Sequence, residues 1–371
     1  MARNRQVPKA IDAVVGGVVG GVDTHKDTHT VAAVDGAGRV LGTAQFPATA
    51  AGYRQLLAWL QGHARSAGAG ALRLVGVEGT GAYGAGLTRY LQGEGVPVVE
   101  VDRPDRKTRR FAGKSDPIDA TAAALAALSG RQDGTPKDRT GIVESIRVLR
   151  IPRRAAVAHR AETMRQIKTV IVSAPEAVRA AVAGLRDRQL IATAAAWRPD
   201  PAAAADPVVA TRVALRRLAR RYQQLTEEIA ELDALLEPLV ATAAPGLLAL
   251  NGVGTEVAGQ LLVTAGGNPD RITSEAAFAA LCGVAPVPAS SGRTTRHRLN
   301  RGGDRQANAA LYRVVLCRLR WDPATREYAA RRTEEGKTKP EIIRCLKRYI
   351  ARSIYYTLTA TTHQQDHELA A

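Results

Sequence analysis

The sequence has few cysteines, few aromatic residues and no long uncharged run, and each shortage argues against a type of protein or a mode of binding. Its 371 residues include three cysteines, which lie far apart at Cys282, Cys317 and Cys345 and form no C-x-x-C pair. A disulfide scaffold and a zinc ribbon are therefore excluded. Aromatic residues make up only 4% of the chain, so base stacking is expected to be a minor mode of any nucleic-acid binding. No uncharged run reaches the roughly 18 residues that a membrane span needs, and we expect a cytoplasmic protein with no membrane partner.

Acidic residues are also few beside the basic ones. The chain has 52 Lys plus Arg against 35 Asp plus Glu, which gives a formal net charge of +17, and its pI is near 10.3. Hydrophobic residues make up 45% and charged residues 23% of the sequence, so the positive charge is carried by a chain that can fold. Such an excess favours a polyanion, nucleic acid above all, over a small neutral substrate.

The first third of the chain alternates short apolar runs with segments of helical spacing, which is typical of an α/β domain. Two Val-rich runs between Val14 and Asp35 flank the polar residues 24–27 and predict a β-hairpin, and residues 39–46 predict a third strand. Further strands are predicted at 72–77 and 96–101, and helices at 49–61, 82–92 and 116–128. Because helices connect the later strands, we expect these strands to be parallel.

The middle of the chain, from about residue 153 to 240, has little strand signal and many alanines, which predicts helices. Eight apolar residues there recur at alternating spacings of three and four, as one seam of a coiled coil does: Leu215, Leu218, Tyr222, Leu225, Ile229, Leu232, Leu236 and Leu239. This pattern predicts a helical hairpin or a dimerising coiled coil. The alternative is an ordinary amphipathic helix packed against the core.

The last third is predicted to be mainly α-helical, with a helix-hairpin-helix-like element at the turn Gly252-Val253-Gly254. Such a turn offers free backbone N–H groups to a phosphate. The alternative is a plain packing unit in which Gly252 ends the first helix. We therefore predict three domains, at residues 14–150, 151–244 and 245–360.

Two stretches concentrate the positive charge. Between Ser291 and Arg320 there are eight arginines and one acid, Asp304, and a second basic stretch at 103–114 precedes the helix at 116–128. One-sided charge interleaved with Gly and Ser favours a surface that binds the phosphate backbone, although a solvated loop is the alternative. The predicted nucleic-acid-binding residues are Arg103, Arg106, Lys107, Arg109, Arg110, Lys114, Arg293, Arg296, Arg298 and Arg301.

Four acidic residues stand at the predicted strand ends and helix start of the first third. Asp23 ends the first strand, Glu78 ends the fourth, and Asp116 and Asp119 open the helix at 116–128. Carboxylates from adjacent strand ends and a facing helix can converge on two Mg²⁺ ions, an arrangement that stabilises an in-line phosphodiester displacement. For Asp116 there is a structural alternative, the N-cap of its helix followed by proline at the first helical position.

Other interpretations of this region are less favoured. Residues 79–84 read G-x-G-x-x-G and Asp102 follows the next strand, as in a dinucleotide-binding oxidoreductase. Glu78, directly before the first glycine, would repel the pyrophosphate. An actin-like ATPase is disfavoured because no second phosphate loop follows. Zinc ligation by His25 and His29 is disfavoured because they are four residues apart in a predicted hairpin.

The motifs of both halves resemble those of the IS110/IS1111 transposases, and the resemblance covers about residues 16–360. In the first half it rests on the stretches Gly21–Asp27, Val77–Tyr83 and Lys114–Ala120. In the second half it rests on Leu250–Gly254, Phe278–Pro286, Ser291-Gly292, Arg301–Gly303 and Asn308–Tyr312. The occurrence of both sets in this order makes the resemblance specific.

The resemblance implies an RNase H/RuvC-like N-terminal domain and a C-terminal transposase domain. It also implies that a D-E-D-D tetrad, here Asp23, Glu78, Asp116 and Asp119, binds Mg²⁺, and that a serine, here Ser291, attacks DNA to form a covalent phosphoserine intermediate. Ser290 stands beside Ser291 and leaves the choice of nucleophile open. The implied partners are double-stranded DNA of the element ends and target, a structured non-coding bridge RNA and further copies of this chain, in a dimer or tetramer. A Piv-like DNA invertase and a non-catalytic nucleic-acid-binding protein are the alternatives.

Overall fold

The computed structural model describes residues 17–66, 71–101, 115–130, 134–290 and 297–370, with side chains to residue 360. The chain forms two compact units. The first falls within Met1–Thr140 and Ala265–Ser274, and the second within Gly141–Thr264 and Glu275–Ala371. A short segment of the second half of the chain therefore belongs to the first unit. The three domains predicted from the sequence stay a prediction.

The first unit is built on a five-stranded mixed sheet with strand order β3-β2-β1-β4-β5. The strands are β1 (Val18–Thr24), β2 (Thr28–Val34), β3 (Val40–Pro47), β4 (Leu72–Glu78) and β5 (Val98–Val101). The first three pair antiparallel, whereas β4 and β5 run parallel to β1, which confirms the predicted hairpin and the predicted parallel strands. A mixed sheet is compatible with a RuvC-like fold, and it differs from the parallel sheet of a dinucleotide-binding domain.

Helices cover both faces of this sheet: α1 (Ala50–Ser66), α2 (Ala85–Gly93) and α3 (Asp116–Leu128). Side chains alternate between the faces along each strand. In β1, Val18 and Val22 belong to the core cluster that contains the buried leucines of α1 and α2. Val19 instead packs in a separate cluster with Ala124 and Ala127 of α3.

Two glycines let the backbone of α3 lie directly on the sheet. Gly21 of β1 and Gly76 of β4 are register partners on the face that α3 covers. A Cβ atom built on Gly21 would lie 2.1 Å from the backbone nitrogen of Ala124, and one on Gly76 would lie 2.8 Å from the carbonyl oxygen of Ala123. No side chain fits at either position, so the two glycines determine how closely α3 approaches the sheet.

The rest of the described chain is mostly helical. Its helices are α4 (Gly141–Val172), α5 (Glu176–Val182), α6 (Asp187–Ala196), α7 (Pro207–Ala243), α8 (Pro245–Leu248), α9 (Thr255–Ala265), α10 (Glu275–Leu281), α11 (Arg305–Trp321), α12 (Pro323–Glu334) and α13 (Lys339–Ala370). It also contains 3-10 turns at Pro201–Ala203 and Pro269–Arg271 and a small hairpin of β6 (Val287–Pro288) and β7 (His297–Arg298). Within the described ranges, no helix combines the length and the apolar character that crossing a membrane requires.

The long helices α4 and α7 pack against each other in antiparallel fashion. Arg153, in the first half of α4, pairs with Asp233 near the end of α7. Ile167, near the end of α4, shares a buried cluster with Leu215 in the first half of α7. None of the eight residues of the predicted seam is exposed. The seam helix therefore pairs with another helix of the same chain, whereas coiled-coil geometry and dimerisation stay predictions.

Gly252 separates α8 from α9 and has a φ of +78°, a left-handed conformation that a residue with a side chain rarely adopts. The space beside it is filled, because a Cβ built there would lie 3.4 Å from the Cβ of Cys317. The Nε of Arg318 donates a hydrogen bond of 2.8 Å to the carbonyl of the preceding Asn251. These contacts fit the packing-unit alternative, and a phosphate-binding role of this turn stays a prediction.

Candidate functional site

The candidate site begins at the carboxyl ends of the neighbouring strands β1 and β4. Val22 and Val77 are register partners, so the residues that follow them, Asp23 and Glu78, stand side by side on the face that α3 covers. The hydroxyl of Thr24 donates a hydrogen bond of 2.8 Å to the carbonyl oxygen of Glu78, which ties the two strand ends together. Asp23 is only 7% exposed.

The N-terminus of α3 brings two more acids to this edge. Asp119 is buried, and both it and Asp116 lie in the first helical turn. The N-cap of α3 is Ser115, so the alternative in which Asp116 caps the helix is wrong. The reason is that the helix begins one residue earlier than the proline suggested, and Asp116 is its first helical residue.

His25 joins the cluster from the hairpin turn between β1 and β2. Its Nε2 lies 3.2 Å from Oδ2 of Asp23 and 3.5 Å from Oδ1 of Asp116. One ligand atom from each of these three residues lies within 4.8 Å of the other two. From the sequence, metal ligation by His25 is disfavoured, because His25 and His29 are four residues apart in a predicted hairpin. The signal that could have identified it is its position two residues after Asp23, where the strand passes into the turn.

The electrostatics of the cluster favour a positive charge. Burial raises the pKa of Asp23 from its usual 3.8, and the charges of Asp119 and Asp116 raise this pKa further, while His25 opposes the shift. Asp23 and Asp119 are buried, whereas Asp116 is partly exposed. Carboxylates that face one another are stabilised by a cation that pairs with them. The site is therefore compatible with a divalent metal ion.

The structure brings the four predicted acids to one edge of the sheet, though not all in the same way. Asp23 and Asp116 both contact the Nε2 of His25. The charge of Asp119 raises the pKa of Asp23. Glu78 is placed by its strand position beside Asp23 and by the hydrogen bond from Thr24 to its carbonyl oxygen. Their role as a metal-binding tetrad stays a prediction.

The predicted nucleophile and most predicted nucleic-acid contacts lie outside the described residues. These are Arg103, Arg106, Lys107, Arg109, Arg110, Lys114, Ser291, Arg293 and Arg296. Ser290 is exposed just after the β6 strand, Arg298 is exposed in β7, and Arg301 is exposed beyond it. Arg298 and Arg301 are therefore accessible to a large partner, and their contact with nucleic acid stays a prediction.

A segment of the second half of the chain contributes to the first unit near the site. The Nε of Arg271 donates a hydrogen bond of 2.9 Å to the carbonyl of Thr135, and its Nη2 lies 3.9 Å from a carboxylate oxygen of Glu100. The same carboxylate accepts a hydrogen bond of 2.6 Å from Thr80, two residues after Glu78. Arg271 thus supports the loop that follows the acidic strand end, a role that sequence reasoning missed.

His29, the second histidine of the hairpin, lies on the opposite face of the sheet from Asp23. Its ring is stacked on Tyr53 of α1, with centroids 5.6 Å apart and planes inclined by 9°. Its Nδ1 lies 3.1 Å from the carbonyl of Thr28, and its buried Nε2 has no hydrogen-bond partner in the described structure. Burial lowers the pKa of His29 from its usual 6.5. These contacts agree with a core position rather than zinc ligation.

We expect the free energy of unfolding to fall less steeply with decreasing pH in His29→Phe than in the wild type. Because the pKa of His29 is lower in the folded state than its unfolded value of 6.5, the unfolded chain takes up the proton first as the pH falls. His29 therefore costs the wild type stability below about pH 6.5, by at most ~1.4 kcal/mol per pH unit. Phenylalanine keeps the stack and binds no proton. Urea unfolding from about pH 7.5 to about pH 5 measures the effect, and parallel stability curves would contradict it.

Comparison with known proteins gives two family matches. Residues 20–174 match the DEDD-domain model of IS110-type transposases, described as "Transposase". Residues 244–330 match a model described as "Transposase IS116/IS110/IS902 family". The first match contains the four predicted acids and the second contains Ser291. Together the two models cover more than half of the chain.

Two curated relatives agree with these matches. The chain is 32% identical over 135 residues to the "Insertion element IS900 uncharacterized 42 kDa protein" of Mycobacterium paratuberculosis, which is 36% of this chain and 34% of that protein. It is 36% identical over 122 residues to the "Insertion element IS110 uncharacterized 43.6 kDa protein" of Streptomyces coelicolor, which is 32% of this chain and 29% of that protein. Each alignment thus spans about a third of the relative's length. With both halves matched in order, the chain belongs to the IS110 family of transposases.

Proposed function

We propose that this protein is a DNA recombinase that moves an insertion element by metal-dependent cleavage and exchange of DNA strands. The observation that carries the proposal is the cluster of Asp23, His25 and Asp116, whose ligand atoms lie within 4.8 Å of one another. It stands at the strand ends of a domain matched by a transposase model. An acidic cluster of this kind, half-open at a sheet edge, is suited to phosphodiester chemistry.

The donor set fits a hard divalent cation, and we propose Mg²⁺. Asp23, Glu78, Asp116 and Asp119 would supply carboxylate oxygens, the ligands that Mg²⁺ prefers. His25 would orient the Asp23 carboxylate through the 3.2 Å contact. When bound, the cation supplies charge neutralisation at the scissile phosphate.

Ser291 is the proposed nucleophile, because the resemblance to these transposases assigns that role to the serine of the Ser291-Gly292 pair, which lies within the second family match. Its Oγ would form a bond to phosphorus as the bond from phosphorus to one deoxyribose oxygen breaks. The serine loses its proton and the leaving oxygen gains one, so a phosphoserine linkage and a free DNA hydroxyl result. Rejoining reverses these steps with a different DNA hydroxyl, and no external energy source is needed.

The proposed partners are double-stranded DNA of the element ends and target, and a structured non-coding RNA that selects them by base pairing. The net charge of +17 supports a polyanionic partner, because neutralised phosphates release counterions. Exchange between two DNA molecules requires more than one active site, which supports a homo-oligomer. We place this activity in the cytoplasm.

The test is covalent capture. Full-length protein is mixed with Mg²⁺, duplex DNA carrying the element ends and RNA transcribed from the element, and denaturing gels detect protein bound to DNA. We expect an adduct with the wild type and with Ser290→Ala, and none with Ser291→Ala or after chelation of the metal. An adduct that survives in Ser291→Ala but is lost in Ser290→Ala would move the nucleophile to Ser290. An adduct formed equally well with chelator would refute metal dependence.

A further inference from the structure

The second unit contains a cavity of about 840 Å³ that the proposed chemistry does not use. One wall comes from residues 283–286, just before β6, and from residues 297–300, which include β7; the others come from α12, α13 and the loop between them. In the sequence, the segment between β6 and β7 carries Ser291. The volume lies in the range of sites that hold a small molecule or a single group of a polymer, about 300–1,000 Å³.

The walls of this cavity are strongly basic. Seven lysines and arginines line it, against two glutamates. The glutamates are engaged, because Glu335 pairs with Arg332 and Glu341 accepts hydrogen bonds from the backbone and hydroxyl of Thr338. Two of the basic residues, Arg348 and Arg352, share Glu275.

The other basic lining residues have no ion-pair partner within the described parts of the chain: Arg298, Lys337, Arg344 and Lys347. Lys347 is the most informative of them, because it is only 7% exposed. Its ammonium donates a 2.8 Å hydrogen bond to the side-chain oxygen of Asn308, a neutral acceptor that does not balance the charge. Burial, together with Arg344, lowers the pKa of Lys347. The Nε of Arg332 is also buried without a hydrogen-bond partner. A buried cation in such surroundings is stabilised by a bound anion.

The cavity also presents aromatic surface, although aromatic residues are rare in this chain. Tyr328 and Tyr349 line it and contact each other edge to face, with ring centroids 5.7 Å apart. Tyr349 is 54% exposed, so its ring is open to a partner. Cationic groups beside an exposed aromatic ring form a site for a phosphate joined to a planar base.

We propose that this cavity binds one unpaired nucleotide of a nucleic-acid strand, with the phosphate at Arg344 and Lys347 and the base against Tyr349. A concave site of this size suits a nucleotide that is single-stranded or extruded from a helix rather than an intact duplex. The inference rests on the proposed function for its source of nucleic acid. The proposal gives the second unit a contact with nucleic acid. This contact lies next to β7, and Ser291 lies between β6 and β7 in the sequence.

Binding of a fluorescent single-stranded DNA of about 12 nucleotides to full-length protein without metal tests the phosphate contact. We expect Arg344→Gln to reduce the slope of log affinity against log salt by about 0.7, the value for one lost phosphate contact on a single strand. The matched control is Arg326→Gln, which removes the same charge from an exposed position of α12 outside the cavity and should leave the slope unchanged. Equal slopes for the two variants would refute the phosphate contact.

The base contact has its own pair of variants. Tyr349→Ala should weaken single-strand binding about tenfold and leave binding of a blunt duplex unchanged. Tyr356→Ala, a similarly exposed tyrosine of α13 that does not line the cavity, should change neither. A strand that carries 5-iodouracil should photo-crosslink to Tyr349 or Tyr328. Equal effects of the two tyrosine variants, or crosslinks only elsewhere, would overturn the proposal.

A further arm separates this inference from its rival. Free thymidine monophosphate should compete poorly with the strand, and full competition at micromolar concentration would show a free-nucleotide site instead. Binding of the strand is measured without metal, so it does not depend on the proposed metal site. Failure of metal-dependent cleavage would therefore leave these binding results intact, whereas cavity variants that match their controls would refute this proposal alone.

Discussion

Gly21→Ala is expected to detach α3 from the sheet and to destroy the acidic cluster with it. The added Cβ would lie 2.1 Å from the backbone nitrogen and 2.6 Å from the Cα of Ala124, and 2.3 Å from the carbonyl oxygen of Ala120. These are backbone atoms of a helix, so no side-chain rotation relieves the clash. We expect a loss of at least ~3 kcal/mol of folding free energy, and loss of binding at any site that needs Asp116 and Asp119.

The neighbouring glycine provides the matched control. Gly20 lies on the opposite face, where an added Cβ would meet the end of the flexible Leu60 side chain at 2.9 Å. Alanine also lowers the backbone entropy of the unfolded chain. We therefore expect Gly20→Ala to stay within about 1 kcal/mol of the wild type. Urea unfolding measures both variants, and calorimetric titration with Mg²⁺ measures the site. Equal stability of the two alanine variants would contradict the close approach of α3.

The strands and the acids at their ends could be predicted from the local sequence pattern. Each apolar run and the acid that ends it lie within a few residues of each other. The apolar run Leu72–Val77 ends where the carboxylate of Glu78 appears, and neither Asp23 nor Glu78 has a packing reason to stand at its strand end. The sheet order then places the two side by side. This part of the candidate site needs no knowledge of which distant residues touch.

The docking of α3 could not be predicted in the same way. Gly21 and Gly76 look in the sequence like weak points of two strands, since glycine disfavours a strand interior. Their function becomes visible only when β1 and β4 are paired and a helix lies across them. Arg271 is a second example, because its contacts with Thr135 and Glu100 join residues more than a hundred positions apart. The sequence pattern around Arg271 does not predict contacts with residues so far away in the chain.

Asp23→Asn is expected to raise the stability of the metal-free protein and to lower its activity. In the metal-free protein, the buried Asp23 carboxylate faces Asp116 and Asp119, and an amide removes that repulsion. We expect the variant to gain about 1 kcal/mol in folding free energy near pH 7. The raised folded-state pKa of Asp23 means that the wild type binds this proton more tightly when folded. The gain should therefore shrink as the pH falls through that pKa toward the unfolded value of 3.8.

Addition of Mg²⁺ should reverse the order of stability, because a cation that binds only the folded wild type stabilises it by mass action. Covalent DNA capture by the variant should fall about 10³-fold, since a metal site supplies several kcal/mol to such a displacement. Asp35→Asn is the control. Asp35 accepts hydrogen bonds from Arg39 and the backbone of Ala37, and Arg39 holds its pKa below the usual value. This variant should lower the melting temperature and keep activity. A metal-free Asp23→Asn protein less stable than the wild type would show that the cluster is held together by His25 and not strained by its acids.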